Sequence, residues 1–157
     1  MATVHMMIGI QGSGKTTYAK KLAELYHYEI ISTDVVRMLH PDWKEELIWP
    51  EVYKLCALNL IDGKDIIFDA TNITPKVRKR FIDEVGKYTT NFVLVAYYFT
   101  TDLAICEERV SKRNTKENEL YLPVEVIKSY HERLVEPTFD EGFINIIRVN
   151  NDERRSQ

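Results

Sequence analysis

The chain has 157 residues, of which 45% are hydrophobic and 29% charged, and its formal net charge is −3. That length suits one domain with a core that needs neither disulfides nor metals, and no apolar run approaches the roughly 20 residues that span a bilayer. The acidic balance, with a pI near 5.8, argues against extensive duplex binding, which relies on phosphate-neutralising cations; it leaves room for gripping a single strand end through a few local ones.

Thr3 to Ile8 is a short, mostly apolar strand, followed by a glycine loop and the segment TTYAKKLAELYH, which carries Tyr18, Ala19, Leu22 and Leu25 at helical spacing. Glu29 to Thr33, EIIST, is a second buried strand. Pro50 suits the first turn of a helix that Gly63 closes. Asp65 to Asp69, DIIFD, is a third strand, after which Thr74 and Pro75 form an N-cap and first-turn pair for a helix to about Tyr88. The near-continuous apolar run Asn91 to Phe99 fits a strand covered on both faces. Thr101 or Asp102 caps the next helix, LAICEERVSKR. The polar segment 114–122 then precedes Pro123, which opens a helix to about Val135, and Phe143 to Val149 is the last strand. Strands alternating with helices predict a three-layer α/β domain with a mostly parallel sheet over residues 1–150, and a frayed tail over 151–157. Cys56 and Cys106 fall on apolar helix faces, where they read as small buried hydrophobes of a reducing compartment. With no charged-then-apolar leader at the start, a cytoplasmic protein is expected.

The loop GIQGSGKT, Gly9 to Thr16, satisfies G-x-x-x-x-G-K-[ST] between a predicted strand and a predicted helix. Its glycines, with Gly12, Ser13 and Gly14 at the centre, let the backbone turn N–H groups inward onto phosphate oxygens, and the following helix N-terminus adds a favourable field. Lys15 is expected to bridge the β- and γ-phosphates of ATP and the Thr16 hydroxyl to sit on Mg²⁺, with Thr17 a further candidate for phosphate contact. No N-K-x-D guanine-reading motif occurs, which turns the reading from a GTPase toward a small kinase.

Sheets of this kind bind ligands at the carboxyl ends of their strands. After the second strand, Asp34 and Arg37 stand three apart, on one face of a helix's first turn. A carboxylate there can accept the proton of an attacking hydroxyl, and the arginine can clamp an anionic group of the acceptor; the plainer alternative makes Asp34 an N-cap and Arg37 a solvated charge. Asp69 has two readings, a carboxylate that holds Mg²⁺ through water or one that orients Asp34, Arg37 or the loop, and the second is preferred. Thr71 and Asn72 are polar groups at the same strand mouth, or simply turn formers. Arg109 and Arg113, four apart on a predicted helix, lead into the 114–122 segment as cations of a lid, with Glu107, Glu108 and Glu117 available to pair with them instead. His40, Trp43, Trp49 and Tyr53 are either core or a stacking platform.

Taken together, GIQGSGKTT, STDVVR, IIFDATNITPKVRKR, ERVSKRN and EPTFDEGFINIIRV resemble the polynucleotide-kinase branch of P-loop kinases over nearly the whole chain. The resemblance implies the strand order 2-3-1-4-5, Asp34 as general base toward a 5′-hydroxyl and Arg37 on the phosphate beside the acceptor nucleotide. It further implies Asp69 and Asn72 at strand-end positions, Arg78 in a supporting place on the next helix, and Arg113 as a lid arginine reaching the ATP phosphates. The chain departs from the branch in offering Lys116 or Glu117 where a second lid arginine stands, and no phosphatase domain is expected after it. The function expected is an ATP- and Mg²⁺-dependent kinase for a 5′-hydroxyl end of RNA or DNA. The alternatives are a small-molecule or nucleoside kinase of the same layout, or an ATP-hydrolysing switch. No membrane and no obligate protein partner is expected.

Overall fold

The first apolar run forms strand β1, Ala2–Ile8, in which every residue except Thr3 is buried. A computed structural model describes residues 1–115 and 121–151. The other strands are β2, Glu29–Ile31, β3, Ile66–Phe68, β4, Phe92–Phe99, and β5, Phe143–Val149. They lie in the order β2-β3-β1-β4-β5, the predicted one, and each pairing is parallel. Parallel neighbours need crossovers, which the helices supply: α1, Lys15–Tyr26, α2, Thr33–Leu39, α3, Ile48–Ile61, α4, Pro75–Gly86, α5, Leu103–Asn114, and α6, Val124–Arg133.

Strand alternation divides the core. Val4, Met6 and Ile8 of β1 join Ile66 and Phe68 of β3 on one face, under Val36 of α2, Val52 and Cys56 of α3, and Phe81 of α4. Met7, Ile67, Tyr97 and Phe99 face the other side, where Ala19, Tyr18 and Leu22 of α1 cover them. Full burial of such side chains contributes about 1.5–3 kcal/mol each. A third cluster, Ile10, Ile73, Cys106, Val110 and Ile127, ties the loops after β1 and β3 to α5 and α6, so it sits over the carboxyl ends of the strands. Both cysteines are free and buried, and burial pushes the Cys56 thiol far above its ordinary value.

Element boundaries differ from the predicted ones for local reasons. β2 stops at Ile31 because Ser32 leaves the ladder to cap α2, its Oγ accepting from the Val35 amide at 3.1 Å. That cap removes the plain N-cap reading of Asp34, which lies inside the first turn of α2. α3 starts at Ile48, two residues before Pro50, so the proline falls within the first turn, where its missing N–H breaks no helical bond. Thr74 caps α4 through the Val77 amide at 3.3 Å, with Pro75 as the first helical residue. Asp102 caps α5 by accepting from the Ala104 amide at 3.3 Å, while the Thr101 hydroxyl donates to the Ser13 carbonyl at 2.8 Å. Asn114 joins the ends of the predicted lid: its amide donates to the Leu122 carbonyl at 2.8 Å and its Oδ1 accepts from the Leu122 amide at 2.9 Å. The centre of that lid, 116–120, and with it Lys116 and Glu117, lies outside the described residues, as does the predicted tail from 152. Among the described residues no helix is long and apolar enough to cross a membrane.

Candidate active site

The phosphate loop leaves β1 at Ile8 and enters α1 at Lys15. Gly12 and Gly14 hold φ of 79° and 95°, backbone that side-chain-bearing residues rarely adopt. A Cβ on Gly12 would stand 2.6 Å from the Cys106 carbonyl oxygen, and one on Gly14 would collide with the side-chain amide of Asn151. The loop is therefore glycine at these two points both for conformation and for room. The first amides of α1 have no intrahelical acceptor, and the Ser13 Oγ and Gln11 Oε1 atoms are buried without a hydrogen-bond partner. The helix amides and the Ser13 hydroxyl are donors, and donors around a left-handed turn fit an anion of several oxygens, as a nucleotide phosphate chain is.

Lys15 is buried, 9% exposed, and its Nζ donates to the Ile10 carbonyl at 3.0 Å. Burial drives its pKa down to about 8 from the ordinary 10.5; the Asp69 carboxylate and Cys106 oppose that fall, and the nearby Arg113 cation adds to it. Arg113 thus lies within electrostatic reach of the lysine. The Thr16 hydroxyl donates to Asp69 Oδ2 at 3.0 Å. Asp69, expected to orient Asp34, Arg37 or the loop backbone, has its side-chain bond to the Thr16 hydroxyl instead, next to the loop lysine. A hydroxyl and a carboxylate are the hard oxygen donors that Mg²⁺ takes, and Thr16 and Asp69 would hold it.

The Asp69 backbone amide also donates to the Ile31 carbonyl at the end of β2, at 3.0 Å. One residue therefore links the phosphate loop to the strand that leads into Asp34 and Arg37. Arg37 Nη1 donates to Asp34 Oδ1 and to Thr33 Oγ1, both at 3.0 Å. Its Nε donates to Glu45 Oε2 at 3.2 Å and its Nη2 to Glu45 Oε1. Glu45 opens a short 3-10 turn, Glu45–Leu47. The hydrogen bonds from Arg37 hold its carboxyl below the usual range, against a smaller opposing effect of desolvation. Asp34 keeps 89% of its side chain exposed, open to an incoming group.

Three other expected site residues serve the scaffold or the loop. Asn72, expected at the acceptor, is 1% exposed and held at φ 48°. Its Nδ2 donates to the Met7 carbonyl at 2.8 Å and pins the turn after β3 onto β1, so the structure does not bring it to an acceptor. Arg78 is fully buried; it donates to Glu141 through Nε at 2.7 Å and Nη2 at 3.1 Å, and through Nη1 to the carbonyls of Asn72 at 2.8 Å and Val135 at 3.1 Å. Arg109, expected on the phosphates, donates to the Gly12 carbonyl at 3.1 Å and the Asn151 carbonyl at 2.6 Å, bracing the loop from behind. Of the aromatic group, Trp49 packs edge-on against Phe68 and Tyr53 is buried, whereas Trp43 stacks on His40 with centroids 3.6 Å apart. Glu45, Glu141 and Asn151 are neighbours of these residues that sequence reasoning missed; only Glu141 carries a local signal, the Thr138-x-x-Glu141 capping box, and that pattern does not point to Arg78.

A family model described as an AAA domain matches residues 4–137. The chain belongs to that family. This AAA domain is 26% identical over 144 residues to the bifunctional polynucleotide phosphatase/kinase of Schizosaccharomyces pombe, an alignment that covers 92% of the chain and 32% of the relative. It therefore spans about a third of that relative's length. A solved fungal RNA kinase superposes with a TM-score of 0.70 at 20% identity, over 99% of this chain and 78% of that one. A gluconokinase from Sinorhizobium meliloti 1021 superposes with a TM-score of 0.59 at 15% identity, over 95% and 82%. The AAA domain accordingly has the P-loop kinase fold, and its resemblance to the polynucleotide-kinase branch stands.

Proposed function

We propose that this AAA domain is an ATP- and Mg²⁺-dependent phosphotransferase whose acceptor is the 5′-hydroxyl end of RNA or DNA. The observation that carries the proposal is the linkage through Asp69. Its carboxylate binds Thr16 on the donor side and its amide binds Ile31, three residues before Asp34, on the other. That linkage supports a donor side and an acceptor side meeting at the carboxyl ends of the strands, where such folds bind ligands.

Within this reading Gly12, Ser13, Gly14, Lys15, Thr16 and Thr17 hold the phosphates of ATP. Lys15 and Arg113 neutralise charge that develops on the transferred phosphoryl group. Asp34, exposed and next to Arg37, takes the proton from the acceptor hydroxyl as the new O–P bond forms and the bond from the γ-phosphorus to the β,γ-bridging oxygen breaks, with ADP as the leaving group. Arg37 binds the phosphate beside that hydroxyl. Mg²⁺ bound through Thr16 and Asp69 would offset negative charge on the phosphate oxygens. Arg109 keeps the loop in shape, and Arg78 keeps the turn after β3 in place.

A second reading, a small hydroxyl compound as acceptor, draws on the acidic surroundings of Arg37, whose single cation is shared by the carboxylates of Asp34 and Glu45. One experiment separates the readings: γ-labelled ATP is incubated with 5′-hydroxyl RNA, 5′-hydroxyl DNA and a panel of polyols. Label on an oligonucleotide end supports the proposal. Label on a polyol alone sinks it in favour of the second reading, and free phosphate released at a rate no acceptor changes points to a nucleotide-hydrolysing switch.

A further inference from the structure

The donors of Arg37 fall into two sets. Nη1 is engaged within α2, by Thr33 and Asp34. The Nε and Nη2 edge points the other way, and both of its donors go to the two oxygens of Glu45. That two-point edge is the part of a guanidinium that matches a carboxylate and a phosphate alike. Because the α2 contacts use a different nitrogen, Arg37 stays aimed whether or not Glu45 is in place. Glu45 comes from outside α2, at the start of the 3-10 turn, and 68% of its side chain is exposed. An exposed pair of this kind contributes little to stability, so another anion can displace it.

We propose that Glu45 is a specificity-determining residue, a carboxylate of the chain itself that occupies the acceptor-side fork of Arg37 and yields it to acceptors carrying a phosphate beside the reactive hydroxyl. This rests on the reading of Arg37 given above and deepens it. A phosphodiester presents two non-bridging oxygens to the Nε/Nη2 edge and can replace Glu45 atom for atom. A neutral polyol cannot, and finds Arg37 closed and two carboxylates around it. Glu45 therefore competes only with acceptors that bear such a phosphate, and it limits their advantage over a plain hydroxyl compound by the worth of its own pair with Arg37.

The test has two arms. In the first, protein saturated with ADP, so that the phosphate loop is filled, is titrated with inorganic phosphate while the Arg37 Nε–H signal is followed by NMR. Glu45→Gln is expected to bind phosphate about three- to fivefold more tightly than wild type, the scale of an exposed ion pair, and Arg37→Gln/Glu45→Gln to lose that gain. Equal affinities in wild type and Glu45→Gln overturn the proposal. In the second arm a nucleoside 3′-phosphate and the plain nucleoside are compared as acceptors. Glu45→Gln should lower KM for the first by a similar factor at unchanged kcat and leave the second alone; an equal fall for both overturns the specificity role. If no 5′-hydroxyl is phosphorylated by either protein, the reading of the acceptor fails, and the phosphate titration by itself decides the role of Glu45.

Discussion

The hydroxyl of Thr16 and the carboxylate of Asp69, 53 positions apart in the chain, meet at 3.0 Å and join the phosphate loop to the end of β3. If this pair is the Mg²⁺ site, Asp69→Asn keeps a hydrogen-bonding partner for Thr16 but removes the charge that supports the ion. The Mg²⁺ concentration for half-maximal ATP turnover should rise about 10- to 100-fold. Thermal unfolding without nucleotide should change little, because the bond is solvent-exposed. A Mg²⁺ titration that gives the wild-type midpoint in Asp69→Asn would remove Asp69 from the metal site.

Lys15 carries a pH dependence with a definite sign. Its folded pKa of about 8 lies below the ordinary 10.5, chiefly through burial. Below pH 8 both folded and unfolded chains hold the proton, and the folded one bears a buried charge at a cost of roughly 3 kcal/mol. Between pH 8 and 10.5 the unfolded state binds more protons, so the cost is relieved and the stability of the nucleotide-free protein rises relative to Lys15→Met. Phosphate oxygens favour the charged amine, so ATP binding at pH 8.5 to 9 should take up a proton. Calorimetry in buffers of different ionisation heat measures that uptake; the same uptake in Lys15→Met would show that another group is responsible.

How far the sequence speaks depends on whether a feature is local. The loop is legible because its glycines answer backbone demands of their own neighbourhood: φ of 79° and 95° at Gly12 and Gly14. The strand order followed from family resemblance, since no periodicity states which strands are neighbours. Three consecutive residues, Ser32, Thr33 and Asp34, can all cap a helix, and only the observed Val35 amide bond chooses Ser32. Asn72 read as an acceptor contact because a polar residue at a strand mouth has the same sequence signature whether it points out or in; the Met7 carbonyl decides the direction. Glu45 and Glu141 are two of 24 acidic residues, and nothing local singles them out as the partners of Arg37 and Arg78.

Asp34 separates chemistry from binding. Its carboxylate is exposed and accepts a hydrogen bond from Arg37. Asp34→Asn should therefore lower kcat about 10²- to 10⁴-fold, the usual worth of a general base, with KM for ATP close to wild type. Steady-state kinetics with the best acceptor checks this. Transfer at near wild-type rate would exclude the general-base role and leave Asp34 as an orienting partner of Arg37. A parallel rise in KM for ATP would indicate damage to the donor site instead.

Arg78 and Glu141 make the strongest prediction about stability. The arginine is fully buried and the glutamate side chain is 15% exposed. Burial alone would raise the Glu141 carboxyl, but hydrogen bonds from Arg78 and the Thr138 amide outweigh it and hold the group below its ordinary 4.5. Glu141→Gln strands a buried guanidinium, which is expected to cost about 3–5 kcal/mol at pH 7. Because the folded pKa is depressed, the contribution of Glu141 is fully present above its unfolded pKa and is lost as pH falls through the folded value. The unfolding curves of wild type and Glu141→Gln should thus converge in acid. Denaturant unfolding at pH 7 and again near pH 3 tests both parts, and an undiminished gap at the lower pH would mean that Glu141 stabilises the turn after β3 by packing and not by its charge.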